Sequence, residues 1–493
     1  MRLTRRTALG LLAAGGAMAA YGGYSWSQAG LSASARPLQI PPLDTGVMSQ
    51  GRRSFDLTLS KGTSRFVDDL ITPTFGINGD YLGPTLKFTA GETVSLSVFN
   101  TIGEASTLHW HGFHLPASAD GGPHQVIGND ASWYPSFEVK QNAGTFWYHS
   151  HMVPRTGYQV YHGLAGLILV EDERAGNLGL PQDYGVDDIP LVLQDRRFRD
   201  NGSLEYATAM PDRMMGMFGN TLLVNGTINA YFAARTDTLR LRILNGSNAR
   251  MYTLAFSDGR SFHQIASDGG LLESPVRTNA ITLGPAERAE IIVDVSDGRP
   301  VILQSTTPSQ GGGMMNMMMA DRTSFDVLEI RPDEGRKNAT VLPERLVTLE
   351  TPDPAAAVRT RKFTLGMGMG MGMGMMGGGG GEMTINGRSM DMNRIDEVVR
   401  VGTEEIWIID NPTMLTHPFH IHDVQFRILD RNGSPPSPAE AGLKDTVVVP
   451  PGEQARLLLQ FADYTDPDSP YMYHCHNLEH EDAGMMGQFT VVA

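Results

Sequence analysis

The chain has one cysteine, and a histidine stands on each side of it: His474-Cys475-His476. The residues just before, Pro470-Tyr471-Met472-Tyr473, read as a strand through their aromatics. Successive side chains on a strand point to opposite faces. His474 and His476 therefore face one way and Cys475 the other. A metal held by Cys475 and other metals held by the two histidines would be joined through a few covalent bonds, a short path for an electron. His480 follows Cys475 by five residues and Met485 follows it by ten. One Cys, two His and a weak, long Met form the ligand set of a blue-copper electron-transfer site. The second histidine of that set has to come from elsewhere in the chain.

Three further clusters can supply it: His109-Trp110-His111, His149-Ser150-His151 and His417-Pro418-Phe419-His420-Ile421-His422. With His480, ten of the fourteen histidines fall in or beside these four stretches. A lone histidine is more often a core or surface residue than a ligand. Four H-x-H pairs beside a single cysteine form a pattern of a different kind.

Together these motifs resemble those of the multicopper oxidases, closest to the methionine-rich periplasmic cuprous oxidases of the CueO type. The resemblance covers nearly everything after the leader. It implies an all-β chain of three cupredoxin-like Greek-key β-sandwich domains and four copper ions. A type 1 copper would be held by His417, Cys475, His480 and axial Met485. A type 2 copper would be held by His109 and His420, and a type 3 pair by His111, His149, His151, His422, His474 and His476. It also implies that dioxygen is the electron acceptor. Asp120, in Asp120-Gly121-Gly122-Pro123, matches the family's acidic residue near the type 2 site. Glu481 matches a carboxylate that relays protons to the cluster. Reduction of dioxygen to water consumes protons as well as electrons, so buried carboxylates are chemically needed there.

Residues 1–35 read as a leader. Thr4-Arg5-Arg6-Thr7-Ala8-Leu9 is a twin-arginine signal, and the apolar run from Ala8 to Ala20 is too short to span a bilayer securely. Ala33-Ser34-Ala35 fits a cleavage site. The expectation is export to the periplasm in a folded state, with no stable membrane span after cleavage, and a monomer. The full chain is acidic overall, with 39 Lys and Arg against 54 Asp and Glu and no basic run. That argues against a nucleic-acid partner. One cysteine also excludes an intrachain disulfide.

Strands such as Thr93-Val94-Ser95-Leu96-Ser97-Val98-Phe99 alternate polar and apolar residues. The 56 glycines and 29 prolines suit a loop-rich β architecture. An internal repeat sets the domain count. A strand ending in Asn100 precedes His109-Trp110-His111, and one running to Asn411 precedes His417 to His422. Between them a strand ends in Asn245 with no histidine after it. The strand ends match as well, Ser150 standing where Cys475 stands. Domains are expected near 45–172, 186–332 and 344–493, the middle one a spacer without ligands. Linkers are expected from Glu173 to Asp188 and from Pro332 to Pro343.

Two stretches are rich in methionine: Met314 to Met319, and the Met/Gly-rich insertion 366–381. The second holds Met367, Met369, Met371, Met373, Met375 and Met376, which could gather Cu(I) through soft thioethers. A third group, Met210, Met214, Met215 and Met217, suits core and ligand roles equally. The expected reductant is therefore Cu(I), with copper tolerance as the role. A laccase oxidising phenols or another small organic reductant is the alternative, followed by Fe(II) or Mn(II) oxidation and by a copper-free structural relative.

Overall fold

The computed structural model of the chain describes residues 34–67, 69–306, 323–337, 340–368 and 383–493. The expected leader, except for its last two residues, lies outside them. So do Met314 to Met319 and all the methionines of the 366–381 insertion except Met367.

The described chain folds into six sheets, and its longest helices, Thr156–Tyr161 and Met210–Met215, have six residues each. Alternation produces the strands: in Thr93–Asn100 the side chains of Val94, Leu96 and Val98 are buried and those between them are not. Three main apolar cores result, one per sandwich. One packs Leu57, Phe88, Leu96 and Ile168. A second packs Leu191, Leu241, Ile291 and Leu328, and the third Trp407, Phe419, Leu457 and Phe489. Each fully buried Leu or Phe contributes about 1.5–3 kcal/mol.

The repeat has a physical reason. Thr93–Asn100, Thr238–Asn245 and Thr403–Asp410 are all strands, and each leads to a fully buried asparagine. The Asn100 amide donates to the carbonyls of Glu104 and Ile127, both at 2.8 Å. Asn245 donates to Arg250 and Leu283 at 2.7 and 2.9 Å. Asn411 donates to Leu415 and Val449 at 2.8 and 2.7 Å. Each asparagine thus staples the loop that follows its strand, satisfying backbone carbonyls that would otherwise be buried alone. In the two outer sandwiches that loop delivers the histidines.

In the first sandwich His109–His111 pairs antiparallel with Gly144–His149, with His109 opposite His149. In the third, His417–Ile421 pairs with Asp466–Cys475, with His420 opposite His474. The chain departs from the expected boundaries in two places. Arg36–Pro37 pairs with Ala230–Thr236 of the middle sandwich, while Leu43–Asp44 pairs with Thr85–Thr89 of the first. Residues ahead of 45 therefore stitch two sandwiches together. The strand Phe325–Lys337 also runs through Pro332 into the stretch read as a linker. No helix among the described residues is long and apolar enough to cross a membrane.

Candidate metal centre

The strand end at Asp466–Cys475 does what alternation requires. Cys475 turns to one face, where its Sγ lies 3.4 Å from His417 Nδ1 and 3.7 Å from His480 Nδ1. The two Nδ1 atoms are 3.3 Å apart. A point central to such a triangle lies about 2 Å from each corner, the length of a metal–imidazole bond. All three side chains are fully buried. Both outer imidazole nitrogens are tied down: His480 Nε2 donates to the Met214 carbonyl at 3.0 Å, and His417 Nε2 meets Thr413 Oγ1 at 2.8 Å. A carbonyl can only accept, so the His480 proton sits on Nε2 and its Nδ1 lone pair faces the sulfur. Burial pushes the Cys475 thiol well above its usual range, so a bound cation is what would make it a thiolate. The Asn477 N–H points at the sulfur from 3.4 Å. Met485 is fully buried in the same core, and its carbonyl accepts from Cys475 N at 3.0 Å.

On the other face the remaining eight histidines converge. His474 Nε2 lies 3.2 Å from His151 Nε2 and 3.2 Å from His422 Nε2. His111 Nδ1 lies 3.4 Å from His149 Nε2, and the His476 ring is 5.1 Å and 5.3 Å from those two rings. His109 stacks on His422 at 3.9 Å, and His111 on His420 at 3.7 Å. Among the described residues, His109 Nε2, His420 Nε2 and both His476 nitrogens are buried with no hydrogen-bond partner.

Most of these rings are held by their outer nitrogen. His109 Nδ1 donates to the Asp120 carbonyl, His149 Nδ1 to that of Ser150 and His420 Nδ1 to that of Asp445, at 2.9, 2.8 and 2.8 Å. His422 Nδ1 meets Asp120 Oδ2 at 2.8 Å. Glu481 sits 3.3 Å from His151 Nδ1 and 3.1 Å from His474 Nδ1. This is the outer-partner arrangement of metal-ligating histidines. Burial also pushes His109, His111, His151, His417, His420, His422 and His476 well below the usual imidazole range, and His149 to about 3. Burial thus disfavours the charged form of these rings, whose inward nitrogens crowd one another at 3.2–3.4 Å. Cations among them would relieve that crowding. The donor set fits soft and borderline metals, copper above all.

Of the two expected carboxylates, Asp120 touches His422 and His109, and Glu481 lies beside His151 and His474. Burial raises Asp120 to about 6. Burial also pushes Glu481 up, but His151 and His474 override it and hold the carboxylate below its usual range. A third carboxylate gave no sequence signal. Asp445 Oδ1 lies 3.1 Å from His111 Nε2, and both its oxygens take a fork from Arg288 of the middle sandwich at 2.8 and 2.5 Å. The middle sandwich adds no histidine or cysteine to these clusters among the described residues. It nonetheless orients two ligands, through Arg288 and through the Met214 carbonyl. His114, His124, His162 and His263 take no part in the clusters. Of the 366–381 insertion, Met367 ends a strand and pairs with Met383, which follows the insertion.

Family profiles described as multicopper oxidase match residues 58–175 and 364–493. A multicopper oxidase of Staphylococcus haemolyticus is 35% identical over 447 residues, 90% of this chain and 89% of its own length. The cell division protein FtsP of Salmonella typhimurium is 36% identical over 465 residues, 92% of this chain and 93% of its own. Among solved structures, the laccase-like multicopper oxidase CueO from Ochrobactrum sp. superposes with a TM-score of 0.82 at 37% identity, covering 92% of this chain and 100% of that one.

Proposed function

The chain belongs to the multicopper oxidase family, and from that premise we propose that it oxidises Cu(I) with dioxygen as acceptor, in the periplasm, as part of copper tolerance. One observation carries the oxidase reading: a thiol and ten imidazoles are gathered on two faces of one strand, most rings held by one nitrogen with the other turned inward. His417, Cys475, His480 and Met485 would hold the type 1 copper. His109 and His420, whose Nε2 atoms have no hydrogen-bond partner, would hold the type 2 copper. The type 3 pair would be held by His111, His149 and His476 on one side and by His151, His422 and His474 on the other. When bound, the coppers take electrons singly from the donor and deliver them to dioxygen, which leaves as water.

The protein's own groups supply position and protons. The Cys475–His474 and Cys475–His476 bonds link the two faces. Asp120, with a pKa of about 6, exchanges a proton near neutrality at Oδ1, which has no hydrogen-bond partner among the described residues, while Oδ2 stays against His422. Glu481 lies between His151 and His474 and stays ionised, orienting both rings. Burial of both sites keeps bulk water out and preserves the orientation of the rings.

Cu(I) as donor rests on the methionine-rich runs, whose thioethers suit that ion, and the periplasm on the twin-arginine leader. The similarity to an oxidase described as active on lignin model compounds favours phenols as the second reading. Equal similarity to FtsP proteins raises a division-associated role. The gathered donor set speaks against a copper-free form of it. Oxygen uptake by the copper-loaded protein, with Cu(I) and with a phenol as sole donor, decides between these readings. Faster uptake with Cu(I) at limiting copper is expected. Uptake with the phenol alone would select the laccase reading, and uptake with neither would point away from an oxidase.

A further inference from the structure

The type 1 assignment leaves open where a donor touches the protein. The shortest route runs through an outward edge of a ligand imidazole. In this molecule the His480 edge is already occupied: His480 is fully buried and its Nε2–H is given to the Met214 carbonyl at 3.0 Å.

The segment that takes this hydrogen bond belongs to the middle sandwich and is fastened to the His480 helix, Leu478–Asp482, and its cap. Asn477 Nδ2 donates to the Met215 carbonyl at 3.2 Å, and Met217 N–H donates to Glu479 Oε2 at 2.8 Å. Glu479 is itself held by Tyr206 and Asn248 at 2.9 and 2.8 Å. At the segment's other side Asp212 pairs with Arg197 at 2.6 Å, and the Met217 sulfur accepts from Arg197 Nη2 at 3.1 Å. Gly216 takes φ +100°, and a Cβ there would strike Ala249 and Asn477. The backbone needs glycine to lie this close. Met210, by contrast, is 58% exposed. The inner side of the segment caps the imidazole with backbone, and its outer side meets solvent.

We propose that residues 209–217 form a donor-selecting cover over His480, an inference that rests on the type 1 reading of His417, Cys475 and His480. One electron leaves the donor and reaches the site through the Met214 carbonyl and the His480 N–H, with no bond made to either. A phenol cannot stack or hydrogen-bond at the ring edge and must react from outside the cover, where transfer is slower. A small ion that transfers an electron without close contact is little affected. The selecting element is the backbone of the segment rather than its sulfurs.

Replacing residues 209–215 with an equally long Gly/Ser run tests this in the copper-loaded full chain. The kcat/KM for 2,6-dimethoxyphenol is expected to rise about tenfold or more, and that for ferrocyanide to change less than about threefold. After copper removal from the same chain, the sole thiol, Cys475, is expected to react with a thiol reagent about tenfold faster than in the parent. Should the replaced chain fail to fold, Gly216→Ala displaces the same segment with one methyl group, and the same gains are expected. A chain carrying Met210→Leu and Met215→Leu keeps the backbone and leaves Met214 in place, and parental phenol kinetics are expected. Unchanged phenol kinetics and thiol reactivity, with the blue band intact, would overturn the inference, as would a gain in the double leucine chain equal to that of the Gly/Ser chain. A parent protein with no blue band would instead overturn the type 1 reading itself.

Discussion

His149-Ser150-His151 and His474-Cys475-His476 end equivalent strands in the two outer sandwiches, and they differ at one side chain. On the shared face they behave alike: His149 and His474 both turn Nδ1 to the carbonyl of the next residue, at 2.8 and 3.1 Å, and aim Nε2 inward. On the back face they part. Ser150 Oγ meets Gln159 Oε1 at 2.5 Å, with Ser106 bonded to the same oxygen at 2.8 Å, a polar network of hydroxyls and an amide with no imidazole in it. Cys475 meets two imidazoles whose outer nitrogens are anchored. The strand supplies the alternation in both domains, and the residues behind it decide whether the second face becomes a metal site.

Cys475→Ser writes the first domain's sequence into the third and carries the largest expected effect. Serine is a poor soft ligand, so the blue absorption and oxidase turnover should vanish while the copper of the histidine cluster stays. Metal analysis and the visible spectrum of the purified variant check this, and a retained blue band would separate Cys475 from the colour.

Next in size is the support that the middle sandwich gives to the shared face. Arg288→Leu leaves Asp445 buried without its fork, and loss of one partner of such a pair costs about 3–5 kcal/mol. Urea unfolding of the copper-free protein should show that loss, with weaker copper retention at the cluster. A shift below about 1 kcal/mol would reduce Arg288 to a bystander.

The clasp between the two outer domains comes third. His114 lies between Asp423 at 2.8 Å and Asp463 at 2.7 Å. Burial pushes the imidazole down, but the two carboxylates override it and raise its pKa from 6.5 to about 9. A raised pKa means that the folded state prefers the proton. The clasp is therefore fully present below pH 6.5 and fades as pH rises through about 9. At about 1.4 kcal/mol per pH unit it contributes at most about 3 kcal/mol, less because Asp463 is 48% exposed. His114→Gln should lower stability at pH 6 and match the parent at pH 10. A gap that grows with pH would reverse the sign.

Smallest is the reverse exchange, Ser150→Cys. Its thiol would face Gln159 rather than two imidazoles, so no second blue band is expected, and the lost hydrogen bonds cost about 1 kcal/mol. Additional colour would show that the strand alone, without the residues behind it, makes the site.

The donors and the alternation at Cys475 were legible in the sequence because ligand spacing and strand period are local properties. The repeat was legible too, although its cause, an asparagine stapling each loop, shows only in the hydrogen bonds. Asp445 was not legible: no histidine neighbours it in sequence, and its partners His111 and Arg288 lie 334 and 157 residues away. The Met214 contact was hidden for a different reason, since a backbone carbonyl leaves no mark on residue type. Reading the middle sandwich as a spacer missed its part in holding the ligands, through Arg288 and the Met214 carbonyl.

In the proposed cycle the back face of Cys475 takes electrons which the histidine face passes to dioxygen. The copper-loaded protein, mixed without oxygen with a Cu(I) donor and then exposed to air, tests it in one cuvette. The blue band should bleach on mixing and return on aeration, with oxygen consumed as it returns. A band that never appears, or one that bleaches and stays bleached in air, would contradict the account.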